Sequence, residues 1–109
     1  MEVGIDIVEI ARVKKAMSER FVEKVLSKEE ITLFNTFKEF RQAEFLAGRF
    51  ACKEAIIKCL SDIEIPLMPD LVVLNNEKGK PYIKYKNYNI KLSISHEEKF
   101  AVAIATLLD

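Results

Sequence analysis

The stretch Phe45–Lys58, FLAGRFACKEAIIK, carries the residues on which the fold turns. At about 100° per residue, Leu46, Phe50 and Ile57 fall between two pairs of charges, Arg49 with Lys53 and Glu54 with Lys58. Gly48, Cys52, Ala55 and Cys59 form a stripe of small side chains on the far side. A helix that is apolar or small over nearly its whole circumference belongs in the interior, and interior Lys, Arg and Glu need partners or a bound ligand. The plain reading is an internal ion pair, because Glu54 and Lys58 stand in the favourable i,i+4 order.

Working outward, this helix is predicted from about Lys38 to Leu60, and Pro66 and Pro69 in the following loop exclude its continuation. Upstream, Ser27 followed by Glu30, ahead of Ile31, Leu33 and Phe34, has the form of a capping box opening another helix. At the start of the chain Val3, Ile5 and Ile7 alternate with Glu2, Gly4 and Asp6, the period of a half-buried strand. From about Glu9 the period changes, and Ile10, Val13 and Met17 suit a short helix whose other face carries Arg12, Lys14 and Lys15. Downstream, Leu71–Leu74, Tyr82–Tyr85, Ile90–Ile94 and Phe100–Ala105 are short β-rich runs. The turn-like NEKG, KNYN and HEEK separate them, as antiparallel hairpins require. The sum is a single α+β domain over residues 1–109: an N-terminal strand, helices including one long central helix, then an antiparallel β meander.

Composition narrows the function classes. Seventeen basic and seventeen acidic side chains cancel, which disfavours a nucleic-acid binder. The start MEVGIDIVEI lacks the regions of a signal peptide, and the longest apolar run, near Phe100 to Leu108, is too short to span a bilayer. A cytoplasmic protein without membrane attachment is expected. Cys52 and Cys59, seven positions apart on one helix, have Cα atoms separated by about 10.5 Å, beyond disulfide reach. With one His and no CxxC pair, no dedicated zinc site is expected.

Three further features stand beside the helix. Asp6 lies within a strand, where Asp is depleted, and Gly79, Lys80 and Pro81 form a turn opening a strand. Ser95 and His96 close another strand. Each alone has an ordinary structural explanation: a solvent-facing residue, a hairpin turn, a polar strand end.

Together they carry a resemblance. GIDIVEI, RFVEKVLSKEE, FLAGRFACKEAIIK, GKP and SISHEEKFAVA, in that order and spacing across nearly the whole chain, resemble the holo-acyl-carrier-protein synthase type of 4′-phosphopantetheinyl transferase. The resemblance implies that fold and the transfer of 4′-phosphopantetheine from coenzyme A to a serine of an acyl carrier protein in fatty acid biosynthesis. It also implies Mg²⁺, release of adenosine 3′,5′-bisphosphate, and a homotrimer with sites between subunits. Asp6 and Glu54 match the metal ligands, and Lys58, with them in the catalytic set, would sit against a phosphate. Arg49 matches the receiver of the 3′-phosphate, Ser95 and His96 the other side of the nucleotide pocket, and Lys80 with Pro81 the border of the adenosine part. Arg12, with Lys15 on the same basic face, matches the docking surface for an acidic carrier. One departure is the stretch KCLSDIEIPLMPD, glycine-free where the family often has a Gly-containing loop.

The chemistry explains why such residues are needed. A serine hydroxyl attacking a pyrophosphate approaches dense negative charge, so the site must neutralise that charge and align the attack. Two carboxylates suit Mg²⁺, which takes its remaining ligands from pyrophosphate oxygens and water. The serine proton passes either to Glu54 or to a water beside the metal, and the relay is favoured because a carboxylate committed to a metal is a poor base. Glu9, three residues after Asp6, offers a further carboxylate near the metal, but its place at the start of a helix favours a role in stabilising the amino end. Two other classes fit parts of the pattern: an inactive coenzyme A or nucleotide-binding module, which would not need Asp6 and Glu54 together, and a trimeric interaction protein whose helix charges are interface ion pairs.

Overall fold

The computed structural model describes residues 1–109. Strand β1 (Glu2–Glu9) runs directly into helix α1 (Ile10–Ala16), followed by α2 (Glu19–Val25), α3 (Lys28–Phe34) and the long α4 (Glu39–Leu60). A short 3₁₀ turn (Met68–Asp70) precedes β2 (Val73–Asn75), β3 (Pro81–Ile83), β4 (Asn89–His96) and β5 (Phe100–Leu108). The strands form two antiparallel sheets, β1-β5-β4 and the hairpin β2-β3. The N-terminal strand therefore closes onto the last one, with Asp6 opposite Ala103 and Ala103 opposite Ile94.

Helix α4 lies across one face of the three-stranded sheet, and small residues on both sides permit the close approach. Ala51, Cys52, Ala55 and Cys59 on the helix meet Ala103 and Ala105 on β5, beneath Leu92 and Ile90. The Cys59 thiol donates to the Ala105 carbonyl at 3.1 Å. Gly4 sets the limit on β1, because a Cβ there would lie 2.0 Å from the Ala55 carbonyl oxygen. Its absence lets β1 bring Asp6 against the helix. Full burial of Leu46, Ile56 and Leu60 contributes about 1.5–3 kcal/mol each. A second apolar cluster joins α1, α2 and α3 to the first half of α4, with Phe45 against Phe34 and Phe37.

The capping box at Ser27 is present: its hydroxyl accepts from Glu30 N at 3.2 Å, and Glu30 Oε1 accepts from Ser27 N at 2.8 Å. Helix α2, which the apolar spacing did not announce, opens on Ser18, whose hydroxyl accepts from Phe21 N. Two expectations are corrected. Val3, Ile5 and Ile7 do alternate, but they are 63%, 58% and 64% exposed; the face turned to α4 carries Gly4, Asp6 and Val8, with the close approach at Gly4 leaving no room for a side chain. The expected Glu54–Lys58 ion pair does not form, and Lys58 turns to β1 instead.

Candidate active site

Strand β1 and helix α4 place Asp6 and Glu54 on the wall of one cavity of about 340 Å³, which Arg12, Val13 and Ala16 of α1, Phe21 of α2 and Phe50 of α4 also line. Lys58, one turn beyond Glu54 on α4, does not line the cavity but reaches β1 beside it: its Nζ donates to the Ile5 carbonyl at 2.7 Å and lies 3.5 Å from Asp6 Oδ1. Glu54 is thus left free of that lysine. Glu9 lines the same cavity and makes no capping bond to α1. No group of three or more His, Cys, Asp or Glu gathers closely enough to cage a metal. A Mg²⁺ ion that keeps water and takes phosphate oxygens is commonly held by one or two carboxylates, and Asp6 and Glu54 on one cavity wall are a donor set of that kind.

Arg12 also lines this cavity, and Lys15 is exposed one turn further along α1. The basic face of α1 therefore begins at the rim of the carboxylate site.

Arg49 belongs to a second cavity of about 200 Å³, shared with His96, Gly79, Pro81 and Asn75. Its guanidinium lies 4.5 Å over the Phe45 ring. Its Nε donates to the Val73 carbonyl at 3.2 Å, and its Nη2 to Asn75 Oδ1 at 2.6 Å. Burial lowers the Arg49 pKa, opposed by the nearby Glu30 carboxylate. His96 Nδ1 lies 3.8 Å from Glu44 Oε2. Lys80 donates from its backbone N to Asn76 Oδ1 at 3.0 Å, but its side chain lines a different groove, with Lys84 and Lys91. Ser95 is not brought to the Arg49 cavity: strand alternation puts it on the face opposite His96.

Lys53, the fourth charge of the central stretch, is structural. It is wholly buried, paired with Glu30 and bonded to the carbonyls of Val25 at 2.6 Å and Met68 at 3.0 Å. Burial lowers its pKa, opposed by Glu30. Cys52, in the same interior, has its thiol pushed up to about 12 by burial, which makes it inert.

The sequence reading missed Glu30 as a buried hub and Asn75 as a ligand of Arg49. Glu30 was visible only as part of a capping box. Asn75 preceded the GKP turn with no signal beyond its turn-forming composition.

The two cavities share no lining residue. Asp6 lies on β1 and His96 on β4, the two edges of the sheet, with β5 between them. One chain thus carries two separate polar cavities, one against each edge of the sheet.

Comparison with known proteins gives a consistent result. The family model of the 4′-phosphopantetheinyl transferase superfamily matches residues 2–105. The holo-[acyl-carrier-protein] synthase of Staphylococcus carnosus (strain TM300) is 43% identical over 106 residues, spanning 93% of this chain and 91% of the relative. That of Mycoplasma capricolum subsp. capricolum is 48% identical over 104 residues, spanning 94% and 90%. Among solved structures, a holo-(acyl-carrier-protein) synthase from Bacillus anthracis in complex with CoA (3′,5′-ADP) has a TM-score of 0.86 at 36% identity, covering 97% of this chain and 94% of that one. The Helicobacter pylori enzyme in complex with coenzyme A has a TM-score of 0.82 at 32% identity, covering 97% and 99%.

Proposed function

The chain belongs to the 4′-phosphopantetheinyl transferase superfamily, and from that premise we propose that it moves 4′-phosphopantetheine from coenzyme A to a serine of an apo acyl carrier protein. The products are the holo carrier, for fatty acid biosynthesis, and adenosine 3′,5′-bisphosphate. The observation that carries this reading is the convergence of Asp6 and Glu54 on one cavity, with the Lys58 ammonium 3.5 Å from Asp6. A module that only bound the coenzyme would have no use for two carboxylates facing a pyrophosphate.

In this reading Asp6 and Glu54 hold Mg²⁺, which when bound supplies positive charge to the pyrophosphate oxygens. Lys58 presents a compact cation to the same oxygens, its position fixed by the Ile5 carbonyl. The serine proton leaves toward the Glu54 carboxylate, through a water where the carboxylate is engaged with the metal. Arg49 receives the 3′-phosphate with the N–H groups it does not spend on Val73 and Asn75. His96 and Pro81 flank it. Lys80 and Ser95 stay in the proposal only as residues at the border of the coenzyme.

Assembly completes the picture. Val3, Ile5, Ile7 and Ile104 form an exposed apolar sheet face, with Ile5 opposite Ile104 in register. An uncovered apolar face of this kind marks an interaction surface. A homotrimer would bury it and would bring the Asp6 half of one chain to the Arg49 half of the next, a head-to-tail contact that closes as a ring. An acidic carrier would dock on Arg12 and Lys15, which leads its serine to the cavity mouth. The location that goes with these substrates is the cytoplasm; no helix is long and apolar enough to cross a membrane.

The test is direct: the protein is incubated with an apo carrier, coenzyme A and Mg²⁺, and the carrier is weighed by mass spectrometry. A phosphopantetheine-sized gain that requires all components supports the transferase. An unchanged carrier mass beside tight coenzyme A binding would instead make the chain a binding module.

A further inference from the structure

Asn75, at the end of β2, touches both working parts of the Arg49 cavity. Its Oδ1 accepts from Arg49 Nη2 at 2.6 Å, and its Nδ2 donates to the Gly79 carbonyl at 2.9 Å. The arginine is fixed at further points by the Val73 carbonyl at 3.2 Å, the Phe45 ring, and Glu30 Oε2 at 3.6 Å from its Nε. Of the five guanidinium N–H groups, Nε–H and one on Nη2 are used within the chain. The other three remain for a ligand.

The turn on the other side is equally defined. Asn76 Oδ1 accepts from Lys78 N at 2.9 Å and Lys80 N at 3.0 Å, and Gly79 N donates to the Asn76 carbonyl at 2.9 Å. Gly79 adopts φ +84°, in the left-handed region. Asn75 thus ties a rigid turn to a rigid guanidinium, and its amide suits both partners. A carboxylate could accept from Arg49 but could not donate to Gly79, and it would repel an anion.

We propose that Asn75 is a positioning residue that fixes the free N–H groups of Arg49 relative to the Gly79–Pro81 turn, and thereby sets the preference for a nucleotide carrying a phosphate monoester at this cavity. The inference rests on the placement of the coenzyme's 3′-phosphate at Arg49 proposed above. It deepens that reading by naming the residue that controls its selectivity.

The experiment compares the full-length parent, Asn75→Ala and Asn75→Asp, each verified as folded by its thermal transition. Steady-state KM and kcat are measured with coenzyme A and with 3′-dephospho-coenzyme A. The parent is expected to prefer coenzyme A. Asn75→Ala should raise KM for coenzyme A about tenfold, the worth of one hydrogen bond to a charged group, and leave KM for the dephospho form within about twofold. Asn75→Asp, isosteric and still able to accept from Arg49, should lose more of the preference than Asn75→Ala. If the alanine variant does not fold, the aspartate variant decides by the same ratio. A parallel rise for both donors would overturn the proposal by making Asn75 a general support of the turn, and an unchanged preference in folded variants would overturn it outright. A parent without preference would instead remove the phosphate from Arg49, and the inference would fall with that reading.

Discussion

Lys58 Nζ lies 3.5 Å from Asp6 Oδ1 and donates to the Ile5 carbonyl at 2.7 Å, so a lysine of α4 is held by β1 rather than by the glutamate one turn before it. The arrangement keeps a cation beside one carboxylate of the cavity and leaves the other, Glu54, unpaired. In the proposed mechanism both carboxylates act through a single ion. Asp6→Asn and Glu54→Gln should each lower kcat/KM by about a hundredfold or more, with partial recovery in excess Mg²⁺. The double variant should be hardly worse than the poorer single one, since both act on the same ion. Chelation by EDTA should abolish turnover. Full activity in either single variant would remove that residue from the metal site.

Glu30 is the electrostatic hub of the interior. Its carboxylate accepts from Ser27 N, Val73 N and Lys53 Nζ, linking α3, β2 and α4 at a fully buried point. Glu30→Ala strands the buried Lys53 and two backbone N–H groups, and should cost about 3–5 kcal/mol in urea unfolding. Lys53→Met should cost less, because Glu30 keeps its backbone donors and Arg49. The reverse order would locate the strain in the lysine.

The loop Ser61–Pro69 is pinned without glycine by Glu64, whose carboxylate accepts from Tyr85 and Tyr88 hydroxyls at 2.8 and 2.7 Å and from Lys86 at 2.9 Å. These hydrogen bonds, led by that from Lys86, hold its pKa at about 2 instead of 4.5. The folded state therefore binds fewer protons than the unfolded chain between those values. The stability Glu64 contributes is fully present above about pH 4.5 and lost as pH falls towards 2. On the alkaline side the tyrosines, raised by their bonds to Glu64, lose their contribution as pH rises through their folded values. Carbon-13 titration of the carboxyl should give the depressed value, and Glu64→Gln should flatten the acid limb of the stability profile. A Glu64 titrating near 4.5 would contradict the network.

What the sequence made legible follows from where the physical constraint was local. The central helix could be bounded within one residue because its small-residue stripe and the prolines beyond it are short-range signals, and the Ser27–Glu30 box was likewise local. The strand period at Val3, Ile5 and Ile7 was visible, but its inward side was not: which face is buried depends on the packing of α4 against Gly4, a contact across about fifty positions. For the same reason Lys58 could be matched to Glu54 on its own helix but not to Asp6. Asp6, Glu54, Arg49 and His96 were nameable by resemblance to a family. The partition of those residues into two cavities needed the sheet order, which brings β1 to one edge and β4 to the other.

Arg12 lines the carboxylate cavity while its helix continues into exposed Lys14 and Lys15. If α1 docks the carrier as proposed, Arg12→Glu should raise KM for the carrier at least about tenfold, since it reverses a charge on that face, and should also modestly perturb the cavity that Arg12 shares with Asp6 and Glu54. Lys15→Glu, a turn further out, should affect the carrier alone. Added salt should weaken carrier use by the parent more than by either variant. Equal salt dependence in all three would return this face to a solvated surface.

The separation of Asp6 and Arg49 into cavities without a common wall makes the shared-site trimer testable by mixing. Asp6→Asn spoils one half of the site, and Arg49→Met spoils the other while keeping a stem of similar length in the buried position. Each homogeneous variant should be nearly inactive, because every site it builds contains one defective half. In mixed trimers formed by co-expression, a site regains both intact halves whenever the Arg49→Met chain supplies Asp6 and its neighbour, the Asp6→Asn chain, supplies Arg49. For equal amounts and random assembly that order occurs at about one site in four, so about a quarter of parental activity should return. Ile5→Glu, placed on the exposed apolar face, should prevent both the three-chain species in sedimentation and the recovery. Inactive mixed trimers would place both halves of each site on one chain, and an active monomer would end the shared-site model.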